Sequence, residues 1–400
     1  MNSKLIGGTL LVIGTTIGAG ILALPVATAE MGFWGSMVML TSAWLIMTIC
    51  AFLFLEVNLW MPPNTNLITM AGRTLGKPGQ AVTWVVYLVL LYSIICAYIS
   101  GGGDLFHYLL GNAGINVSLP VASVIFTAIF GAVVYFGMRA VDYVNRGLMF
   151  GKMGAYCLLV ILMVPFVSAA NLGHFHIASI ASASGITVAA VAFGSLMIIP
   201  SLRTYFNEDI KSLRLAIFVG MLIPLFCYIA WDLVILGIIP LNGDSGLRHM
   251  MGSASTNSDL VSELGVLLQK NTVTSLAKFF TSICMTTSFL SISLCLSDFL
   301  ADGFRMTKEG LNSIVIYGAT FMPPLLIVLF YPGAFIRGLE YAGVCCFFLM
   351  ILLPPMMVWR GRYHYALADK GVEVMGGKFL LALLMIFATL MIGYGLKGAM

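Results

Sequence analysis

An all-helical protein embedded in a lipid bilayer is the fold class this chain predicts, and three observations carry it. Of its 400 residues 60% are apolar, above the roughly 45–50% of soluble domains. Only 9% are charged, where about 25% is usual, and the mean hydropathy is +1.01. The third observation is pattern: eleven apolar stretches, each near the ~20 residues that cross a bilayer as a helix, are separated by short polar joints. These runs lack the in–out alternation of a membrane β-barrel.

The first span, near residues 5–28, contains Gly14-Thr15-Thr16-Ile17-Gly18-Ala19-Gly20 and then Pro25. Glycine, threonine and proline at mid-depth weaken the intrahelical ladder, and lipid cannot satisfy the N–H and C=O groups so freed. Such a break must face protein or a water-filled cavity, and its half-helix N-terminus suits a carboxylate. Gly14-x-x-x-Gly18 is equally a small-residue packing motif. Lys4, the apolar run and Ala27-Thr28-Ala29 imitate a secretory signal. The glycines and Thr15-Thr16 interrupt its core, so an uncleaved first helix is expected. Gly18-Ala19-Gly20-Ile21-Leu22-Ala23 matches a dinucleotide fingerprint, but no strand–helix unit surrounds it.

The second span (32–60) carries Glu56 near its end, before Met61-Pro62-Pro63-Asn64. Gly76-Lys77-Pro78-Gly79 precedes the third (81–110), which holds Tyr87, Tyr92, Tyr98 and Asp104. The fourth covers 120–137. The fifth (147–167) places Lys152 about one and a half turns from its start, where it either snorkels to the interface or works within the membrane. His174 and His176 share the next joint with no third ligand and read as solvated. The sixth span (185–206) is interrupted by Phe193-Gly194-Ser195-Leu196-Met197-Ile198-Ile199-Pro200-Ser201. The seventh (213–238) contains Asp232, deep and without an evident partner. The eighth (272–302) is hydroxyl-rich, with Thr286, Thr287, Ser288, Ser291 and Ser293 around Phe289, and ends near Asp298 and Asp302. Spans near 311–330, 335–358 and 378–397 complete the chain, the first two joined by Tyr331-Pro332-Gly333.

Interrupted helices at spans one and six lie five spans apart. Five is odd, so a repeat of that length recurs upside down, and paired broken helices in inverted halves point to a transporter site. The expected organisation is a first five-helix repeat over 1–184, an inverted one over 185–358, and a loop with one extra helix over 359–400. Fifteen of the twenty Lys and Arg fall on the side of Lys4, which predicts a cytoplasmic N-terminus and a C-terminus on the far side.

Other classes find little support. The net charge of +4 comes without a basic run, so no nucleic-acid partner is expected, and no obligate protein partner is evident. The eight cysteines lie in apolar stretches and form no CxxC, so no metal or redox cofactor is expected. Asp298-x-x-x-Asp302 is the sole support for a membrane-embedded transferase, and neither HExxH nor GxSxG occurs. The chain is therefore not expected to be an enzyme. A channel fits the composition, but paired breaks favour a carrier.

At Gly14–Gly20, Glu56-Val57, Tyr98-Ile99-Ser100-Gly101, Thr287-Ser288-Phe289-Leu290, Asp298-Phe299-Leu300-Ala301-Asp302 and Tyr341-Ala342-Gly343-Val344, the chain resembles the bacterial hydroxy and aromatic amino acid permeases. These belong to the amino acid–polyamine–organocation superfamily, and the resemblance runs through all eleven spans. It implies a five-plus-five inverted repeat of the leucine-transporter type, a place in the bacterial inner membrane, and proton symport of an aromatic amino acid, tyrosine first. By position it implies that Thr15, Thr16, Gly18, Ala19 and Gly20 bind the substrate carboxylate. Phe193, Gly194 and Ser195 would offer carbonyls to its ammonium group, with Tyr98 and Phe289 in the side-chain pocket. Lys152 would take the place of a structural sodium and couple the proton, partnered by the Gly14 region and Ser288. Sodium coupling or exchange remains the alternative. The family's sixth break typically reads Gly-Phe-His-Gly before Pro-Ser. Here Gly194 is followed by Ser195, Leu196 and Met197, which leaves the choice among tyrosine, tryptophan and phenylalanine open. Asp232 stands where the resemblance implies a neutral amide.

Overall fold

The computed structural model describes the chain apart from residues 1, 2, 19, 64, 174–181, 208, 244, 245, 252, 254, 332, 333, 366, 368–372 and 400, and apart from the side chains of 3, 138, 139, 142, 146, 398 and 399. Ala19 and the histidine pair His174 and His176 thus lie outside the described residues. The described residues form helices and no strands. Nine segments among them are long and apolar enough to cross a membrane, and two further apolar helices, Lys4–Thr16 and Leu119–Tyr135, are shorter.

The first expected span is divided into α1 (Ser3–Thr16) and α2 (Gly20–Thr28). A short 3₁₀ turn leads to Gly32, whose φ of 69° starts α3 (Gly32–Leu59) in a new direction. The next helix, α4 (Leu67–Asn112), is capped by the Asn66 side chain, which accepts from Thr69 N at 2.9 Å. Its 46 residues would measure about 70 Å if straight, twice the bilayer core. Gly76, at φ 80°, breaks it just before Pro78 and separates a short first piece from the longer remainder. There follow α5 (Leu119–Tyr135), α6 (Met138–Met163) and the single turn α7 (Ala169–Leu172). The sixth expected span is again divided, into α8 (Ala183–Ala192) and α9 (Ile199–Tyr205). Beyond it come α10 (Ile210–Ile238), the non-spanning α11 (Leu247–Met251) and α12 (Thr256–Leu268), then α13 (Asn271–Phe304) and α14 (Gly310–Phe330).

The tenth expected span runs as α15 (Ala334–Cys346), a π-helical stretch over Phe347–Leu352, and α16 (Leu353–Tyr363). Pro354 and Pro355 explain the widened turn, because neither offers an N–H to the preceding carbonyls. The last helix, α17 (Gly377–Ala399), packs against α15, α16 and the π stretch.

Outward-facing Phe150, Leu311, Phe330 and Phe379 are exposed, as lipid-facing side chains are. Lipid tails are as apolar as leucine, so helix association rests on close packing more than on burial. Small residues supply it: a Cβ on Gly343 of α15 would lie 2.4 Å from Thr187 O of α8, and one on Gly338 2.9 Å from Ser93 O of α4. The centre of the bundle holds α2, α8, α10, α13 and α15. Tyr228, Trp231, Phe193, Phe280 and Phe289 are fully buried there.

Candidate functional site

The two interrupted spans meet. A Cβ on Gly20, the first residue of α2, would stand 3.3 Å from Ala192 Cα, the last residue of α8. Each break exposes carbonyls at the C-terminal end of a half-helix, and buried carbonyls need donors. Tyr228 of α10 serves both. Its hydroxyl lies 2.7 Å from Thr16 O and 2.8 Å from Ala192 O, while its ring packs edge-on against Phe193 at 5.2 Å between centroids. One hydrogen shared between two carbonyls ties the end of α1 to the end of α8.

The next carbonyl of the first break, that of Ile17, accepts from Lys152 Nζ at 2.7 Å. Lys152 lies on α6 and is 2% exposed, so it does not snorkel. Its carbonyl partner is thus Ile17, three residues beyond Gly14 and just past the end of α1. Gly14 itself packs against Met149, whose Cε would lie 2.6 Å from a Cβ there. Ser288 of α13 faces the same break from the other side. A Cβ on Gly18 would stand 3.0 Å from Ser288 Oγ and 3.8 Å from the Tyr98 hydroxyl, so both hydroxyls face this break.

The structure therefore gathers Thr16, Gly18, Gly20, Lys152, Tyr98, Ser288 and Phe193 around one crossing point. The Thr15 and Thr16 hydroxyls turn back on their own helix, to Leu11 O and Val12 O, and Thr15 is exposed. Gly194 N and Ser195 N close tight turns onto Val191 O and Phe193 O, at 3.0 and 2.8 Å. Phe289 packs between the rings of Phe126 and Phe321, at 5.1 and 5.8 Å, which makes an aromatic wall behind Ser288. Grooves of about 670 and 540 Å³ lie elsewhere, and neither is lined by a residue of either break.

Three acids noted in the sequence prove to hold elements together. Glu56 is 1% exposed and forms a two-pronged pair with Arg362 of α16, both contacts 2.6 Å, while accepting from Val374 N at 3.0 Å. Nearby, Arg203 of α9 donates to Asn58 O and Met61 O at 2.5 and 2.8 Å. Asp104 accepts from Asn257 N, Ser258 N and the Ser258 hydroxyl, capping α12 from α4. Asp298 pairs with Lys308 at 2.5 Å and is half exposed.

Two participants escape sequence reasoning. Tyr228 is one tyrosine among 15, marked only by its spacing of four from Asp232. The Glu56–Arg362 pair spans 306 positions, and nothing local in either residue names the other.

Residues 1–394 match the model of the tryptophan/tyrosine permease family. Tyrosine-specific transport system 1 of Haemophilus influenzae is 34% identical over 393 residues, covering 97% of this chain and 95% of that protein. Glutamine transporter 2 of Aliivibrio fischeri is 31% identical over 403 residues, covering 98% and 99%. The tryptophan-specific transport protein of Haemophilus influenzae is 29% identical over 400 residues, covering 97% and 94%. These relatives are named as transporters, not enzymes. The chain, with its two half-helix breaks joined at one buried point, belongs to the tryptophan/tyrosine permease family.

Proposed function

We propose that this protein imports an aromatic amino acid, tyrosine first, together with a proton. The observation that carries the reading is the crossing of the two breaks with Lys152 Nζ on Ile17 O. A transported zwitterion needs opposite partial charges held close together. The start of α2 offers N–H groups to a carboxylate, and the end of α8 offers carbonyls to an ammonium group. Gly18, Ala19 and Gly20 would hold the first, with Thr15 and Thr16 at the edge, and Phe193, Gly194 and Ser195 the second. Tyr98 and the Phe289 wall would receive the ring.

Lys152 is the coupling residue in this reading, with Gly14 and Ser288 beside it. A buried ammonium is costly, and a bond to one carbonyl offsets only part of that cost, so the amine can shed its proton as the site changes shape. Alternating access would rock one helix group against the other about the fixed crossing point. The proposed frame is eleven crossings, with α1 and α2 together forming the first and α5 the fourth. It is arranged as two inverted five-helix repeats and a last helix, in an inner membrane with a cytoplasmic N-terminus and a periplasmic C-terminus.

Uptake of labelled tyrosine into proteoliposomes tests this reading, with a proton gradient imposed or collapsed and tryptophan, phenylalanine and glutamine as competitors. Saturable, gradient-driven accumulation is expected, and Lys152→Ala should abolish or uncouple it in folded protein. Proton dependence that survives Lys152→Ala would refute the coupling role. The relative named as a glutamine transporter supports one second reading, a polar amino acid in the same site. Glutamine outcompeting every aromatic would decide for it.

A further inference from the structure

One buried acid has no part in the site described above. Asp232 lies one turn beyond Tyr228 on α10 and is fully buried. Its Oδ2 meets the hydroxyl of Ser36, near the start of α3, and that of Thr28, the last residue of α2, the latter at 3.2 Å. Its Oδ1 has no partner among the described residues.

Among the described residues, the helices around it bring no cation to it. Tyr156 of α6 is the titratable side chain that faces Asp232, and its hydroxyl is engaged by Cys227 O at 2.7 Å. Lys152, one turn before Tyr156 on α6, is held at Ile17 O, and Tyr228 at the two break carbonyls. Glu30, in the turn between α2 and α3, pairs with Arg248 at 3.0 Å, and Glu56 at the far end of α3 pairs with Arg362. Helices α2 and α7 contain no charged residue, and the single one in α1, Lys4, lies at its far end.

The Thr28 hydroxyl has one hydrogen and two acceptors within reach, Leu24 O at 2.9 Å and Asp232 Oδ2 at 3.2 Å. If the hydrogen sits on the nearer carbonyl, a carboxylate has only Ser36 to donate to its two oxygens. A fully buried carboxylate so poorly served binds a proton instead. The neutral acid completes the chain. Its Oδ2–H donates to Thr28 Oγ1, Thr28 donates to Leu24 O, and Ser36 donates to the same Oδ2.

We infer that Asp232 is a second proton-binding site of the transport cycle, distinct from Lys152. It holds a proton as a carboxylic acid while α2, α3 and α10 are packed together. It releases that proton to water, leaving the carboxylate, when this corner parts. Thr28 closes the half-helix that begins at the first break, so a movement of α2 at the break draws Thr28 from Asp232. The inference rests on the proton-coupled reading proposed above.

Infrared difference spectroscopy of purified protein in lipid tests the site without reference to transport. Wild-type protein near neutral pH is expected to show the carbonyl band of a protonated carboxylic acid that Asp232→Asn lacks. Asp232→Glu, which keeps the acid, is expected to shift that band and to control for folding. A companion assay measures substrate-driven proton uptake into proteoliposomes. There Asp232→Asn is expected to lose gradient-driven accumulation by about tenfold or more, within the range of coupling effects between sites. A wild-type spectrum unchanged by Asp232→Asn overturns the site, whatever the proton flux. A band present without substrate-driven proton flux in the wild type overturns the coupling reading, and with it the place of Asp232 in a cycle. A band abolished by sodium reassigns the site to a metal cation. Accumulation by Asp232→Asn equal to wild type also overturns the proposal.

Discussion

Replacing Tyr228 with phenylalanine removes one oxygen and leaves the ring against Phe193 at 5.2 Å. Thr16 O keeps the Gly18 amide at 2.9 Å, so the loss falls chiefly on Ala192 O at the open end of α8. The hydroxyl has one hydrogen for two carbonyls, so the cost is that of one buried acceptor left without its donor, about 1–3 kcal/mol. Reversible unfolding of purified protein in mixed micelles reads this directly. Phe193→Leu supplies the contrast, since it removes an aromatic pair worth about 0.5–1.5 kcal/mol and leaves the hydroxyl in place. In a double-mutant cycle the two losses are expected to add if the hydroxyl acts on the carbonyls and the ring acts by packing. Uptake should fall with Tyr228→Phe, because the two half-helices lose their common anchor. Unfolding free energy equal to or above wild type would refute the argument that the hydroxyl holds the crossing closed.

Further outcomes follow from other contacts. Gly20→Ala places a Cβ 3.3 Å from the Ala192 backbone, which cannot swing aside as a side chain can, so loss of uptake with little loss of expression is expected in a transport assay. Glu56→Gln leaves the Arg362 charge buried and should cost about 3–5 kcal/mol in the same unfolding measurement, whereas the apolar pair Glu56→Leu with Arg362→Met should return much of it. At the start of α10 the exposed Asp209 carboxyl accepts from the hydroxyl and N–H of Ser212 at 2.6 and 3.3 Å, which holds its pKa below the ordinary 3.8. A depressed carboxyl stabilises the folded state above its ordinary pKa and ceases to as pH falls through the lowered one. The unfolding midpoints of wild type and Asp209→Ala should therefore differ at neutral pH and converge in acid.

The sequence made the membrane class, the apolar spans and both interruptions legible, because those depend on composition and local backbone chemistry. Glycine, threonine and proline in the first span and Phe193-Gly194-Ser195 in the sixth announce the breaks where α1 and α8 end. Depth along a span does not tell which face a side chain occupies, so the burial of Lys152 against Ile17 O is not legible in the sequence. Asp104, placed by the sequence only within the third expected span, caps a helix 153 positions away. Tyr228, Glu56 and Arg362 share that difficulty: their roles are defined by partners that only the packed bundle brings near. Gly338 is likewise ordinary in sequence and decisive in space, where α4 presses against α15.

The π-helical stretch at Phe347–Leu352 gives the Ala334–Tyr363 segment two independent phases. One additional residue in a turn rotates everything beyond it by about 100° relative to an unbroken α-helix. Upstream, the glycine face of α15 is keyed to α4 and α8. Downstream, α16 is keyed to α3, where Arg362 meets Glu56. A regular helix through the same residues would satisfy one of those registers and miss the other. Removing a single residue from this stretch would therefore re-dial the arginine away from its acid while leaving the packed half of the span in place.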